Sequence, residues 1–201
     1  MTDRVYLAGP MVFEADPVAI FDRMKTLCVA RGVVGIAPLD NQIGLEGIAP
    51  GKCLLERIVR ADIALMDELD AAVFCLDGFR RGPEMDAGTA FEVGYMRALG
   101  KPIAGWTQDT RPYPQRVADF FSSAFGRGLT RTSAGPIGGT SGLLRDPDGI
   151  LVHSEGCVQN AMVHVGIELT GGIVAADMNW ERAFGAAVTS VVEQLRARGP
   201  R

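Results

Sequence analysis

The stretch Ala71-Ala72-Val73-Phe74-Cys75-Leu76 is apolar at every position. A strand with one wet face alternates apolar and polar residues. An unbroken apolar run of this length reads as a strand buried on both sides, as in a parallel sheet covered by helices. Upstream of it, from Lys52 to Leu69, the residues Leu54, Leu55, Ile58, Val59, Ile63 and Met66 recur at spacings of three and four, an amphipathic helix. Downstream come a polar Gly/Arg/Pro loop (residues 77–85) and a helix from about Thr89 to Leu99. Gly100-Lys101-Pro102 stops that helix, and Ile103 to Trp106 forms another strand. Toward the N-terminus, Arg4-Val5-Tyr6-Leu7-Ala8 is a strand ended by Gly9-Pro10. A helical pattern on Ile20, Met24, Leu27 and Cys28 follows, closed by Gly32, and then a short strand from Val33 to Ala37 broken by Pro38. The alternation predicts an α/β fold, a flavodoxin-like doubly wound parallel sheet of about five strands with helices on both faces. Ligands of such sheets sit at the carboxyl ends of the strands.

The chain has 201 residues, enough for one domain spanning 1–201, and a core of this size needs no disulfide or metal staple. Beyond residue 110 the pattern weakens. A glycine-rich stretch near 126–147 reads as an exposed loop or insertion, followed by helical stretches near Gln159–Leu169 and Trp180–Arg198. The formal charge of −4 offers no broad basic field for nucleic acid. No apolar run reaches the roughly 18 residues a membrane helix needs, and no secretory signal is visible, so a cytoplasmic protein is expected. Cys28, Cys53, Cys75 and Cys157 are scattered without a CxxC pair and read as buried thiols. With only His153 and His164 beside them, no metal site is expected.

The strand ends gather acids, amides and a phenol: Tyr6 and Gly9, then Asp40-Asn41-Gln42, Asp77, Asp86 and Asp109. There is no Walker lysine and no GxGxxG, so triphosphate and dinucleotide binding lack support. Each residue alone also has a plain structural reading. Thr89-x-x-Glu92 is the pattern of a capping box, and Asp86 suits the positive end of the same helix. Tyr6 in an apolar strand reads as a core tyrosine with a bonded hydroxyl, Asp62 as solvated helix surface, Asp70 as a turn residue and Asn160 as a helix cap.

Taken together, the set resembles the nucleoside 2-deoxyribosyltransferase family. The resemblance rests on Tyr6-Leu7-Ala8-Gly9-Pro10, Pro38-Leu39-Asp40-Asn41-Gln42, Asp62 with Asp70, and Asp86-Ala87-Gly88-Thr89-Ala90-Phe91-Glu92-Val93-Gly94-Tyr95, with Ala98 to Pro102 continuing it. It resumes at Asp148-Gly149 and Asn160-Ala161-Met162; the stretch 150–157 and the glycine-rich insertion depart from the family pattern.

The resemblance implies base exchange on a 2′-deoxyribonucleoside, with a free purine or pyrimidine base as the second substrate and no cofactor. It implies Glu92 as the nucleophile that attacks C1′, Tyr6 orienting its carboxylate from the end of the first strand, and Asp62 as the proton relay to the base. Gln42 would bind the base, and Asp86 the sugar 5′-hydroxyl. Asn160, supplied by a neighbouring subunit, would complete that hydroxyl site in a homo-oligomer, with Gly9 lining the pocket. A carboxylate suits the role because it stabilises an oxocarbenium-like transition state and can then bond to it.

Two rival readings share the topology. A nucleoside or nucleoside-monophosphate N-glycoside hydrolase would use the same carboxylate. A 5′-phosphate beside Asp86, however, meets a like charge worth about 4 kcal/mol at 4 Å and an effective dielectric of 20. A non-catalytic nucleotide-sensing domain would require tandem glycines where Met85 and Asp86 stand.

Overall fold

The computed structural model describes residues 2–41, 47–132, 143–154 and 156–199. The chain runs β1 (Arg4–Ala8), α1 (Pro17–Val29), β2 (Val34–Ile36), α2 (Lys52–Glu68), β3 (Ala71–Cys75), α3 (Ala87–Ala98) and β4 (Ile103–Thr107). It continues through α4 (Tyr113–Phe125), β5 (Thr130–Thr132), β6 (Leu143–Arg145), β7 (Leu151–Val152), α5 (Ala161–Glu168), β8 (Val174–Ala176) and α6 (Trp180–Ala197). One sheet has the order β2-β1-β3-β4-β8, and every pair in it is parallel. This is the flavodoxin-like order expected from the apolar runs, with β8 as the fifth strand.

Alternation along β1 decides what each side of the sheet contains. Val5 and Leu7 enter a core with Phe21 and Met24 of α1 and Phe184 and Val188 of α6. Tyr6 and Ala8 enter the opposite core, with Leu65 and Met66 of α2, Val93 and Met96 of α3 and Ile167 of α5. The register sets Val5 opposite Ala71, and a slip of one residue would exchange the two sets. Where β1 ends, Gly9 has φ +154°, and a Cβ there would lie 2.6 Å from Cys75 Cβ and 2.8 Å from the Met11 side chain. Only glycine lets the chain turn away this close to β3.

Two features depart from expectation. α4 lies where the sequence pattern weakens beyond residue 110, with Pro112 and Pro114 flanking its start. Proline is nonetheless tolerated in a first helical turn, and Gly126 closes the helix in a left-handed conformation (φ +63°). The glycine-rich stretch is also more than a loop: its flanks form β5 and β6, which join β7 in an antiparallel sheet. Residues 133–142 lie outside the described residues.

Cys53 corrects the reading of four buried thiols: it is exposed in the first turn of α2, while Cys28, Cys75 and Cys157 are buried and all four are free. Burial pushes the Cys28 thiol up to about 12. Among the described residues, no helix is long and apolar enough to cross a membrane, and no group of three or more His, Cys, Asp or Glu side chains could hold a metal ion.

Candidate active site

The Tyr6 hydroxyl donates to Glu92 Oε1 at 2.6 Å, across 86 residues of sequence. Tyr6 is the middle residue of β1, not its end, and is wholly buried; the length of the phenol carries the hydroxyl to the helix. α3 lays Thr89, Val93 and Met96 on its buried stripe at the three- and four-residue helical spacing. Glu92 borders that stripe, one position before Val93, and so faces β1 instead of solvent.

The capping-box reading of Thr89 and Glu92 is overturned. Asp86 is the N-cap of α3, and its Oδ2 accepts from Thr89 N at 2.9 Å and Thr89 Oγ1 at 3.1 Å. The cap therefore lies three residues earlier than the motif suggested. Glu92, in the second turn, is free to bond Tyr6.

Burial pushes the Glu92 carboxyl up to about 7. The Tyr6 hydrogen bond pulls it down, while the charges of Asp62 and Asp86 push it up. Asp62, on α2, is also pushed up by burial, to about 6. It is therefore not the solvated surface residue its helix pattern allows. Tyr6 itself is held far above the ordinary phenol range by burial and by the Glu92 carboxylate, so it stays a donor. The three groups form one electrostatic unit whose two carboxyls titrate near neutrality, where acid–base chemistry needs them.

Asn41 Nδ2 donates to the Ala61 carbonyl at 3.0 Å, anchoring the turn after β2 beside Asp62. Asp40 is structural: it accepts from Ala37 N at 2.9 Å and Lys25 Nζ at 2.7 Å. Gln42 lies outside the described residues. Asp70 accepts from Arg4 N at 2.8 Å and ties the start of β1 to the start of β3.

Asn160 caps α5 through Met162 N at 2.9 Å. The fully buried Gln159 accepts from Asn160 N at 3.0 Å and donates to the carbonyls of Leu76 and Pro83, at 3.4 and 3.3 Å. It links the Asn160 cap to the loop before Asp86, a role with no local sequence signal.

Asp77, another strand-end acid, is occupied by Thr107 Oγ1 at 2.5 Å and by Gln108 N at 2.7 Å. A cavity of about 910 Å³ lies beyond the ends of β3 and β4, lined by Asp77, Arg81, Asp109, Arg111 and Arg116 among others. Arg111 pairs with Asp109 and Asp119, and Arg116 with Asp109, so much of its charge is matched internally. The carboxylates of interest lie elsewhere, on the α2 and α3 side of the sheet.

A flavodoxin-like sheet carrying a buried, tyrosine-bonded glutamate and a second raised carboxylate defines an α/β protein built around poised carboxyl groups. Comparison with known proteins narrows the class. The family model for nucleoside 2-deoxyribosyltransferase matches residues 5–162, and the chain belongs to that family. An uncharacterized protein of Schizosaccharomyces pombe is 44% identical over 194 residues, 96% of this chain and 90% of the yeast protein. Among solved structures, a 2-desoxiribosyltransferase from Leishmania mexicana superposes with a TM-score of 0.58 at 28% identity, covering 92% of this chain and 97% of its own. A conserved protein from Enterococcus faecalis shares the fold, with a TM-score of 0.56 at 19% identity over 94% of this chain and 98% of its own.

Proposed function

We propose that the protein transfers 2-deoxyribose between nucleobases through a covalent deoxyribosyl–Glu92 ester. The observation that carries this reading is the 2.6 Å hydrogen bond from Tyr6 to Glu92, a buried carboxylate with one oxygen fixed. In the first step the other oxygen, Oε2, attacks C1′. The bond from C1′ to the base nitrogen breaks with its electron pair going to the base, and Asp62 supplies the proton. In the second step a nitrogen of the incoming base attacks C1′ and the C1′–O ester bond breaks. Asp62 takes back a proton and Glu92 leaves as the carboxylate. Two inversions give overall retention.

The cycle needs one proton shared between the two carboxyls. With Glu92 near 7 and Asp62 near 6, the pair holds about one proton around neutral pH. Glu92, with the higher value, holds that proton most of the time; the reactive form is the minority in which the proton sits on Asp62 and the charge on Glu92, oriented by Tyr6. Oδ2 of Asp86 is engaged by Thr89, which leaves Oδ1 to accept from the 5′-hydroxyl of the sugar. The Asn160 amide would donate at the same hydroxyl of a neighbouring subunit, which requires a homo-oligomer. Met162, 85% exposed two residues on, suits such a contact. Gln42 is assigned to the base, and Gly9 to the pocket floor. Both substrates bring their own leaving and entering groups, so the chemistry calls for no cofactor.

The test is chromatographic: 2′-deoxyinosine with and without free adenine. Deoxyadenosine formed only when both are present is the expected result. Hypoxanthine released at the same rate without adenine would identify a hydrolase. Neither product, with thymidine and deoxycytidine also inert, would leave a binding domain.

A further inference from the structure

The residue before the α5 cap, Gln159, has no exposed surface, yet its side chain meets three separate segments of the chain. Its Oε1 accepts from Asn160 N at 3.0 Å. Its Nε2 donates to the Leu76 carbonyl just past β3 at 3.4 Å, and to the carbonyl of Pro83, in the loop that leads to Asp86, at 3.3 Å. The reverse orientation of the amide would set its oxygen against two carbonyl oxygens and its nitrogen against an N–H. Only the orientation described satisfies every group.

A buried amide adds little net stability, because its hydrogen bonds mainly offset the loss of water. An apolar side chain of similar volume would fill the same space. What the amide adds is geometry, since a fully bonded buried network holds its members in one arrangement. The members here converge on two places. One is the loop before Asp86, which the Tyr113 hydroxyl also holds by donating to the Glu84 carboxylate. The other is the segment 157–160. There Tyr113 N donates to the Cys157 carbonyl at 2.7 Å, the Arg116 guanidinium to the Val158 carbonyl, and Val158 N to His164 Nδ1 at 3.2 Å. Gln159 joins the two places directly.

We propose that Gln159 is a positioning residue for the sugar 5′-hydroxyl, holding Asp86 of its own site and Asn160, which serves the neighbouring subunit's site, through one buried amide. This rests on the assignment of Asp86 and Asn160 to that hydroxyl made above. Gln159 is wholly buried and touches no substrate. Because one amide serves two sites, a change at Gln159 loosens both halves of every 5′-hydroxyl site in the oligomer. It acts at the end of the sugar remote from C1′, so its effect falls on binding and not on the bond-breaking step.

The test compares 2′-deoxyinosine with 2′,5′-dideoxyinosine, which lacks only the 5′-hydroxyl, and follows hypoxanthine release in the presence of adenine. Release reports exchange and hydrolysis alike. The wild type should show the lower KM for 2′-deoxyinosine. Gln159→Met keeps the volume and removes the amide's bonds. It should raise that KM about five- to tenfold with kcat within about twofold, and leave KM for the dideoxy substrate unchanged. Gln159→Glu, kept protonated by burial beside two carbonyls, retains one donation and should fall between the two. It also carries the test if circular dichroism shows the methionine variant unfolded. Equal changes with both substrates, or none with either, would overturn the proposal and leave Gln159 a packing residue. Equal KM values for the two substrates in the wild type would remove the 5′-hydroxyl site and the proposal with it, as would release from neither. Hypoxanthine release that does not need adenine would count against base exchange and leave the role of Gln159 standing.

Discussion

Neighbouring residues of β1 meet opposite chemistry. Leu7 enters a core of aliphatic, aromatic and sulfur-containing side chains between the sheet and helices α1 and α6. Tyr6 enters a core of similar apolar composition, yet its hydroxyl ends on a carboxylate that burial has pushed toward neutrality. The first core packs apolar groups against one another. The second gives up some stability, because a carboxyl with a raised pKa is one the fold would rather keep protonated. Buried ionisable groups held against their preference mark the face to which we assign the chemistry.

This contrast can be broken or sharpened by measurement. Glu92→Ala should lower exchange by a factor on the order of 10³ or more while leaving the thermal midpoint unchanged or higher, since it removes the misfit carboxyl. Normal exchange in a folded Glu92→Ala protein would return that face to mere packing. Asp62→Asn should reduce exchange on the order of 10²–10³-fold with ordinary bases. It should cost much less with a deoxyribonucleoside whose base leaves without protonation; equal losses with both would remove the proton-relay role.

The pH dependence of stability separates the faces without any substrate. Glu92 binds its proton more tightly folded (about 7) than unfolded (about 4.5), so its stabilising effect is complete below about 4.5 and is lost as pH rises through 7. At about 1.4 kcal/mol per unit this amounts to roughly 3 kcal/mol, and Glu92→Gln should flatten that slope in denaturant titrations across this range.

Tyr6→Phe should lower kcat/KM about tenfold and move the acidic limb of its pH profile upward. The lost hydrogen bond is the one that pulls the Glu92 carboxyl down. An unmoved limb would mean that the bond is structural only. The smallest effect belongs to Asp86→Asn. Asparagine caps helices nearly as well as aspartate, so α3 should stay intact while KM for the deoxyribonucleoside rises several-fold. An unchanged KM would remove the 5′-hydroxyl assignment.

The parts of the fold that were legible are those where burial on both sides left no choice of residue. β1, β3 and β4 read directly as apolar runs, and α2 reads from its period. The illegible parts depend on partners distant in sequence. β8 is a three-residue strand, Val174-Ala175-Ala176, that exists because it pairs with β4, some seventy residues earlier. In the site, a similar separation hides the contact between Tyr6 and Glu92 from any local pattern. From local pattern alone position 6 reads only as a tyrosine with a bonded hydroxyl; the pairing with Glu92 is implied by the family resemblance, and in the fold the two stand 2.6 Å apart. Thr89-x-x-Glu92 misled because a capping motif is local, whereas Asp86, three residues earlier, had the better geometry for the cap.

The placement of β8 and α6 has a consequence for how the protein is made. Strands β1 to β4 all lie within the first 107 residues, yet the apolar core against β3 and β4 is filled by Ala183, Phe184, Ala187, Val188 and Val191 of α6. While the ribosome is still extending the chain, α1 covers only part of that side of a nearly complete sheet, and β3 and β4 lack the cover of α6. Contacts of such long sequence separation form slowly, and an uncovered apolar sheet invites association with other nascent chains. Synthesis of the last helix should therefore be the committing event in folding, and the stretch between emergence of β4 and emergence of α6 is the interval in which a chaperone would matter most.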